Sequence, residues 1–582
     1  MRINLSFQLF LLYIESIVAV PGLYDAVIVG GGPAGFVLAS RLSEDPDFQV
    51  LLLENGPDTY TNETITTPRY AGQLQGTQFS WNFTSTPQAT LGGEAPYLHQ
   101  GNGFGGGTAI NIMAYCRGAS SVFDEWAELT GLDGLRWDNL VEYFGKSTNL
   151  FVPPDHDYDQ VIDRTKFGDS HVNVSYESSG QRVPIDSSFV NTWLVNGAQR
   201  GADLTSGDGI GMMIGGPRSI NPTNSTRSYA LPAYGFELAA RPNVKLMHVS
   251  RVIKVNFEGT RAIGVDYVEL LANKTYTVKA KETIVSAGAV NSPRVLLLSG
   301  VGPRQHLEEL GIPVVAESPE VGLNFFDHHY VVTMFNATPD IITAKQLRDP
   351  ALLAPFLAEY RENATGPLAS TGGSSFFAER LSDEILDGLG VNVTFPKSLP
   401  KDRPHLLYQY TSSASLPAPD DANAISAFSA LVQPEASGSV RLNTSDWRDE
   451  PLLDTNYFGS ESDMAIALYG YRRLLTMMRS DTMRSVNANE IYPGSNVTAD
   501  EDIKAALYGA ARSFHHPAGT CSLGKVLDRD FKVKGTQNLR VVDSSAVPRL
   551  PTCHLQASVY ALAEFAATIL KEGLRGAAEV DI

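Results

Sequence analysis

Three cysteines among 582 residues, Cys116, Cys521 and Cys553, leave no material for a disulfide framework, so this chain must hold itself together by burying apolar surface. The expectation for all three is a small buried residue, although Cys521 and Cys553 flank two histidine motifs and could approach each other. Basic charge is also scarce. Forty-five Lys and Arg against 64 Asp and Glu give a formal net charge of −19, which repels phosphate backbones and argues against nucleic acid as a partner. The sequence has no internal repeat, coiled coil or low-complexity tail. Its hydrophobic content of 43% against 19% charged residues is that of a globular chain, and the length exceeds one ordinary core, so two lobes are expected.

A membrane-spanning run is missing as well. The apolar stretch Leu5 to Ile14 is too short for a bilayer and is interrupted by Gln8 and followed by Glu15. With Arg2 before it and Ser16 to Pro21 after it, residues 1–20 read as a secretory signal with cleavage near Ala19. Ten Asn-X-Ser/Thr sequons follow, at Asn62, Asn82, Asn173, Asn224, Asn273, Asn336, Asn363, Asn392, Asn443 and Asn496. A secreted or secretory-lumen glycoprotein is expected.

What the chain does contain begins with Tyr24 to Gly30, a short β-branched run of the kind buried on both faces of a parallel sheet. Gly30-Gly31-Gly32-Pro33-Ala34-Gly35 follows it and opens a helix over Pro33 to Ser43. In this Gly-X-Gly-X-X-Gly pattern Gly30 makes the turn, Gly32 admits a pyrophosphate to the backbone, and Gly35 lets helix and strand pack closely. A second strand, Gln49 to Glu54, ends on an acid 19 residues after Gly35, placed to accept ribose hydroxyls. These elements specify a dinucleotide without choosing between NAD and FAD.

Further strands are expected at Thr283 to Gly288 and Leu539 to Asp543, with helices at Pro293 to Ser299 and Ala557 to Lys571. The stretches of about 160–215 and 325–500 alternate apolar and polar residues and suit an antiparallel sheet. The predicted class is α/β, a Rossmann-like nucleotide domain interleaved with a second domain on an antiparallel sheet. A glycine-rich run, Gly101 to Gly107 leading into Asn111, signals close backbone approach to a ligand. Finally, His516 in His-His-Pro-Ala-Gly-Thr and His554 in Cys-His-Leu-Gln offer two imidazoles. An imidazole near neutral pKa can take an alcohol proton while a flavin takes the hydride.

Over essentially its whole length the chain resembles the glucose–methanol–choline (GMC) flavoprotein oxidoreductases. The resemblance rests on the N-terminal glycine loop, Gly105 to Asn111, Gly288 to Gly302, Val321 to His328, and the two histidine motifs. It implies FAD, bound by a discontinuous domain over 21–160, 216–324 and 501–582, and a substrate domain over 161–215 and 325–500. It places Pro33 and Ala34 at the pyrophosphate and Glu54 at the ribose. Gly107, Asn111, Ile112, Met113 and Ala114 lie along the ribityl chain and flavin, Val252 at the adenine, and Asp543, Ser544 and Gln556 at the phosphates and flavin. His516 matches the catalytic base and His554 its partner. No metal is implied. Ile110 stands where some members attach FAD through a histidine, so noncovalent FAD is expected; Gln100 and Asn102 replace a basic pair found in many members.

The expected function is oxidation of a small-molecule alcohol, with oxygen or a quinone as the electron acceptor. The tail Leu539 to Ala563 resembles secreted fungal members acting on aryl or polyketide alcohols of secondary metabolism. The alternative is a lyase or cyclase in which FAD is structural, since some members use the same histidines that way.

Overall fold

The computed structural model describes residues 22–156, 162–178 and 183–580, so the expected signal at 1–20 lies outside the described residues. Two seven-stranded sheets dominate it. In the first, Leu23–Val29 pairs in parallel with Val50–Leu53 on one side and Lys274–Val285 on the other. Val244–Met247 extends the parallel set beside Val50–Leu53, and Leu539–Val541 joins Lys274–Val285. Arg261–Glu269 and Ser250–Glu258 then continue antiparallel. The α/β class expected from the sequence is the one observed.

Ala26, Val27, Ile28, Val50, Leu51 and Leu52 are all 0% exposed, which explains why both strands are apolar without alternation. Each of the valine, isoleucine and leucine side chains among them contributes roughly 1.5–3 kcal/mol by leaving water. The helix Pro33–Leu42 covers one face, started by proline in its first turn, where no backbone donor is needed. The C-terminal helix Gln556–Val580 packs on it and on the helix Trp137–Ser147. An ion pair between Arg41 and the buried Glu564 (2.7 Å) ties the first and last helices together across the chain.

The second sheet is antiparallel throughout, in the order Asn487–Tyr492, His329–Ala337, Ala424–Leu431, Leu406–Thr411, Phe376–Glu379, Gly211–Met213. A short strand, Arg512–Ser513, pairs with its His329 end, so the sheet also takes in chain beyond residue 500. The helix Glu461–Met478, capped by the Ser460 hydroxyl accepting from the Asp463 amide, lays Ile466, Tyr471 and Leu474 onto this sheet. No helix among the described residues is long and apolar enough to cross a membrane.

Two expectations are corrected. The helix expected from Pro293 begins at Gly288, because the Asp543 carboxylate accepts both the Gly288 amide (2.8 Å) and the Ser292 hydroxyl (2.5 Å) and so secures the first turn. The cysteines are not all free. Cys116 is joined to Cys553, 437 residues apart with Cα atoms separated by 6.0 Å, while Cys521 is the free buried thiol. Cys553 thus pairs with the glycine-rich segment's downstream end, not with Cys521.

Peptide mapping without reduction should recover one cross-linked pair, Cys116 with Cys553. Burial pushes the Cys521 thiol well above its usual range, so alkylation of the native protein should leave it unmodified until denaturant is added. Rapid native labelling of Cys521, or two further free thiols, contradicts this arrangement.

Candidate active site

The glycine loop shows a division of labour among its three glycines. Gly30 has φ +111°, and a Cβ there would run into the Ser286 carbonyl; at Gly35 it would collide with the Gly30 carbonyl. These two glycines serve the close packing of strand and helix. A Cβ at Gly32 would meet nothing within 4 Å, and the same holds at Gly107 and at Gly288, which has φ +83°. All three face one cavity of about 570 Å³ or border its wall: Gly32, Gly107 and Gly288 line it. The backbone here leaves room for a ligand that its own side chains do not fill. The second glycine run packs directly on the first, with the Gly105 amide donating to the Gly31 carbonyl at 2.7 Å.

Gly30, Gly32, Pro33, Ala34, Glu54, Gly107, Asn111, Ile112, Met113, Ala114, Val252, Asp543, Ser544 and Gln556 line this cavity together with His516 and His554. Of the residues expected at the cofactor only Gly35 does not line it, in keeping with its packing role. Glu54 accepts backbone amides from Gly31 (2.7 Å), Gly56 (2.8 Å) and Gly103 (3.0 Å), which fix its carboxylate at the cavity wall. Burial raises its pKa against the pull of these amides. Asp543 is similarly held, by Gly288, Ser292 and Ser545, and is also raised by burial.

Asn111 is clamped by the buried Arg227, which donates to its carbonyl at 2.6 Å and its side-chain oxygen at 2.8 Å. Desolvation lowers that guanidinium to about 9. The Asn111 side chain accepts the Met113 amide at 3.0 Å, and Met113 sits at φ +60°, a conformation few non-glycine residues hold without such support. Gln556 donates to the Ala114 carbonyl at 2.6 Å and so ties the last helix to this segment.

The imidazoles of His516 and His554 meet edge to face with centroids 5.1 Å apart. Phe514 stacks on His516 at 5.0 Å and 16°, and Phe376 lies 5.5 Å from His554. Burial, then the neighbouring His554, His328 and His515, hold the His516 pKa well below the usual imidazole range. Burial with the nearby Arg218 brings His554 to about 3. Both rings are therefore neutral near pH 7.

Neighbours that sequence reasoning did not assign set their orientation. Asp327 accepts the His516 amide at 2.9 Å with one carboxylate oxygen, and the Ser513 hydroxyl (2.6 Å) and Tyr457 hydroxyl with the other. Burial lifts this carboxyl to about 7. His328 Nδ1 lies 2.9 Å from His516 Nδ1, leaving Nε2 as the nitrogen of His516 available to a substrate. In the tautomer in which His516 Nδ1–H donates to His328 Nδ1, His516 Nε2 carries a free lone pair. Both residues lie in the motif ending at His328, but only the fold reveals that it reaches His516, 188 residues on.

His554 is placed from the other side. Its Nδ1 lies 3.3 Å from Cys116 Sγ, its amide donates to the same sulfur at 3.3 Å, and its Nε2 is 3.4 Å from the Gln409 side-chain amide. Cys116, Cys553 and His554 form a cluster of metal-ligand types, but the two sulfurs are spent on each other and offer no thiolates. His515, at φ +61°, also lines the cavity and accepts the His99 amide at 3.2 Å. Gln100 and Asn102, at the positions of the basic pair, bond the His99 carbonyl and the Gln78 carbonyl.

One cavity thus joins a glycine-lined nucleotide cradle to a pair of neutral imidazoles. Comparison with known proteins agrees with that combination. Models of the GMC oxidoreductase N- and C-terminal regions match residues 24–330 and 434–563. A glucose-methanol-choline family oxidoreductase of Annulohypoxylon moriforme is 33% identical, over 94% of this chain and 94% of its own. Pyranose dehydrogenase 3 of Leucoagaricus meleagris is 30% identical over 94% and 92%. Among solved structures, an FAD-dependent oxidoreductase from Chaetomium thermophilum is similar with a TM-score of 0.84 and 26% identity, covering 95% of this chain and all of its own.

The contrast between the glycines is testable. Gly32→Val should give a folded protein depleted of FAD, because the added side chain enters the open cradle. Gly35→Val should give little soluble protein, because its side chain must displace the Gly30 carbonyl. Circular dichroism and flavin content per chain distinguish the two. Full flavin loading in folded Gly32→Val contradicts the assignment of the cradle.

Proposed function

The chain belongs to the GMC oxidoreductase family and is an FAD-dependent oxidoreductase, and we propose that it oxidises an aryl or polyketide-derived alcohol with His516 as general base. The observation that carries this reading is the neutral imidazole pair at the end of the nucleotide cavity. FAD, when bound, supplies the hydride acceptor. His516 Nε2 receives the hydroxyl proton, a task for which its low pKa keeps it unprotonated. His554 holds the substrate oxygen by a hydrogen bond, with its own ring steadied by Cys116 and Gln409. Asp327 fixes the backbone of His516, and His328 occupies its Nδ1, which leaves Nε2 to face the substrate.

The aryl preference rests on the cavity wall. Phe514, Phe376, Tyr330, Phe428 and Tyr410 line the cavity, with Tyr330 5.0 Å from Phe514 and 4.9 Å from Phe428. Such flat apolar walls suit a planar substrate. The electrons then pass to oxygen or a quinone.

Stopped-flow flavin reduction against pH tests the roles. His516→Ala should slow reduction by about 10²–10⁴-fold, the usual contribution of a general base. His554→Asn should fall less than His554→Ala, since an amide keeps a hydrogen bond to the substrate. The sign of the pH effect is fixed by the shift: protonation of the base stops the reaction, and a depressed pKa moves that loss to lower pH. The acid limb of the wild-type profile should therefore lie below the ordinary imidazole value of about 6.5 and vanish in His516→Ala. Reduction of His516→Ala within a few-fold of wild type removes the base from His516. Conversion of substrate with no reduction step in any protein moves the assignment to lyase or cyclase chemistry.

FAD is proposed to be held noncovalently, because Ile110 offers no nucleophile at the cavity wall. Acid precipitation should release the flavin into the supernatant; flavin remaining with the pellet would place a covalent bond elsewhere.

Secretion with glycosylation is likewise proposed. Its support is the N-terminal pattern and the absence of a buried asparagine among the ten sequons, seven of which are exposed. Protein recovered from the native host's medium should begin near residue 20 and lose mass on deglycosylation. Unglycosylated full-length protein in the cytosol contradicts this.

A further inference from the structure

Arg218 is 2% exposed, yet it lines the substrate end of the cavity. Its backbone exchanges hydrogen bonds with Ser175 (2.8 Å both ways) and bridges to Ala114, which fixes it beside the flavin-facing segment. Its guanidinium lies over the Phe376 ring at 5.0 Å, and that ring neighbours the His554 imidazole at 5.5 Å. One aromatic ring therefore separates the cation from the imidazole pair.

Within hydrogen-bond reach among the described residues, the Arg218 guanidinium meets only a carbonyl. One nitrogen donates to the Gly373 carbonyl, while Nε and Nη1 are buried and meet no acceptor. The carboxylates that act on it from a distance are Glu177 and Asp186. Glu177 accepts the Ser370 hydroxyl at 2.8 Å and Asp186 the Tyr410 hydroxyl, and neither lines the cavity. The carboxylates that do line it, Glu54 and Asp543, are held by backbone amides at the nucleotide end. Arg69, one of the other arginines lining the cavity, is engaged by the Ile342 carbonyl (2.9 Å) and the Ser412 hydroxyl (2.8 Å). A buried cation with unspent donors is costly unless an anion meets it, and a planar guanidinium is matched to a carboxylate.

We propose that Arg218 is a specificity-determining residue that binds a carboxylate on the substrate, so that the alcohol oxidised is an aryl or related hydroxy acid lying along Phe376. Its acid group is held by Arg218 and its carbinol presented to His516 and His554. The inference rests on the alcohol-oxidation reading but is separable from it.

The test uses the FAD-loaded enzyme with two probe pairs. Benzoate and the neutral isostere benzamide are titrated against the visible absorption of bound flavin. Separately, 4-(hydroxymethyl)benzoate and 4-(hydroxymethyl)benzamide are compared as anaerobic reductants. Hydrogen bonds to a charged group are worth enough that benzoate should bind roughly 10- to 100-fold more tightly than benzamide. The acid alcohol should show a matching advantage in KM. In Arg218→Met, checked for FAD content, the ratio should collapse towards one, and Arg218→Lys should restore part of it.

Equal binding of benzoate and benzamide by the wild type overturns the proposal without any variant, as does a preference retained in Arg218→Met. Equal reduction by both alcohols leaves alcohol oxidation standing and removes the carboxylate site. Arg218-dependent benzoate binding with no flavin reduction by either alcohol does the reverse.

Discussion

Everything at this site depends on keeping one imidazole uncharged inside a buried cavity. Desolvation disfavours protonated His516, and three neighbouring imidazoles that would repel a second positive charge add to the effect. In the proposed reaction, a base prepared in this way accepts a proton only when the substrate oxygen is giving one up. The cost is a cluster of buried polar groups that the surrounding fold must satisfy. Asp327 answers part of it by gathering the His516 amide and two hydroxyls on one carboxyl. The His328 ring answers another part at 2.9 Å.

The two sheets meet at this requirement from opposite directions. The parallel strands end at glycines that clear space for a nucleotide, and the last helix begins at Gln556, just after His554. The antiparallel sheet supplies the other wall through Phe376, Gln409 and Tyr330, and through the pairing of His329 with Ser513 that sets the chain direction into His516. The Cys116–Cys553 link then joins the cavity-lining segment that starts at Asn111 to the residue before His554. Orientation of the imidazole pair is thus shared among elements distant in sequence. The same wall carries Arg218, a buried guanidinium with two nitrogens that meet no acceptor, beside its aromatic faces.

Local features were legible in the amino-acid order, and long-range ones were not. The strand Leu23–Val29, its glycine turn and the helix after it follow from residues within a few positions of one another. Their hydrophobic pattern and the three glycines leave few alternatives. His516 and His554 could be singled out as imidazoles in glycine- and proline-marked turns. The contact between His328 and His516 has no local signal, because it depends on the register of two strands of the second sheet. The Cys116–Cys553 bond is hidden for the same reason, and the sequence offered only Cys521 and Cys553, beside the histidine motifs, as cysteines that could approach. The early start of the helix at Gly288 was missed because its stabilising carboxylate, Asp543, lies 255 residues away.

The most direct test of the central claim is a single anaerobic turnover with benzylic alcohol and its α-dideuterated form, following flavin absorption and product together. Hydride loss to the flavin, assisted by a neutral base, predicts bleaching in step with aldehyde formation and a slower rate for the deuterated substrate. Product appearing while the oxidised flavin spectrum stays unchanged would contradict it.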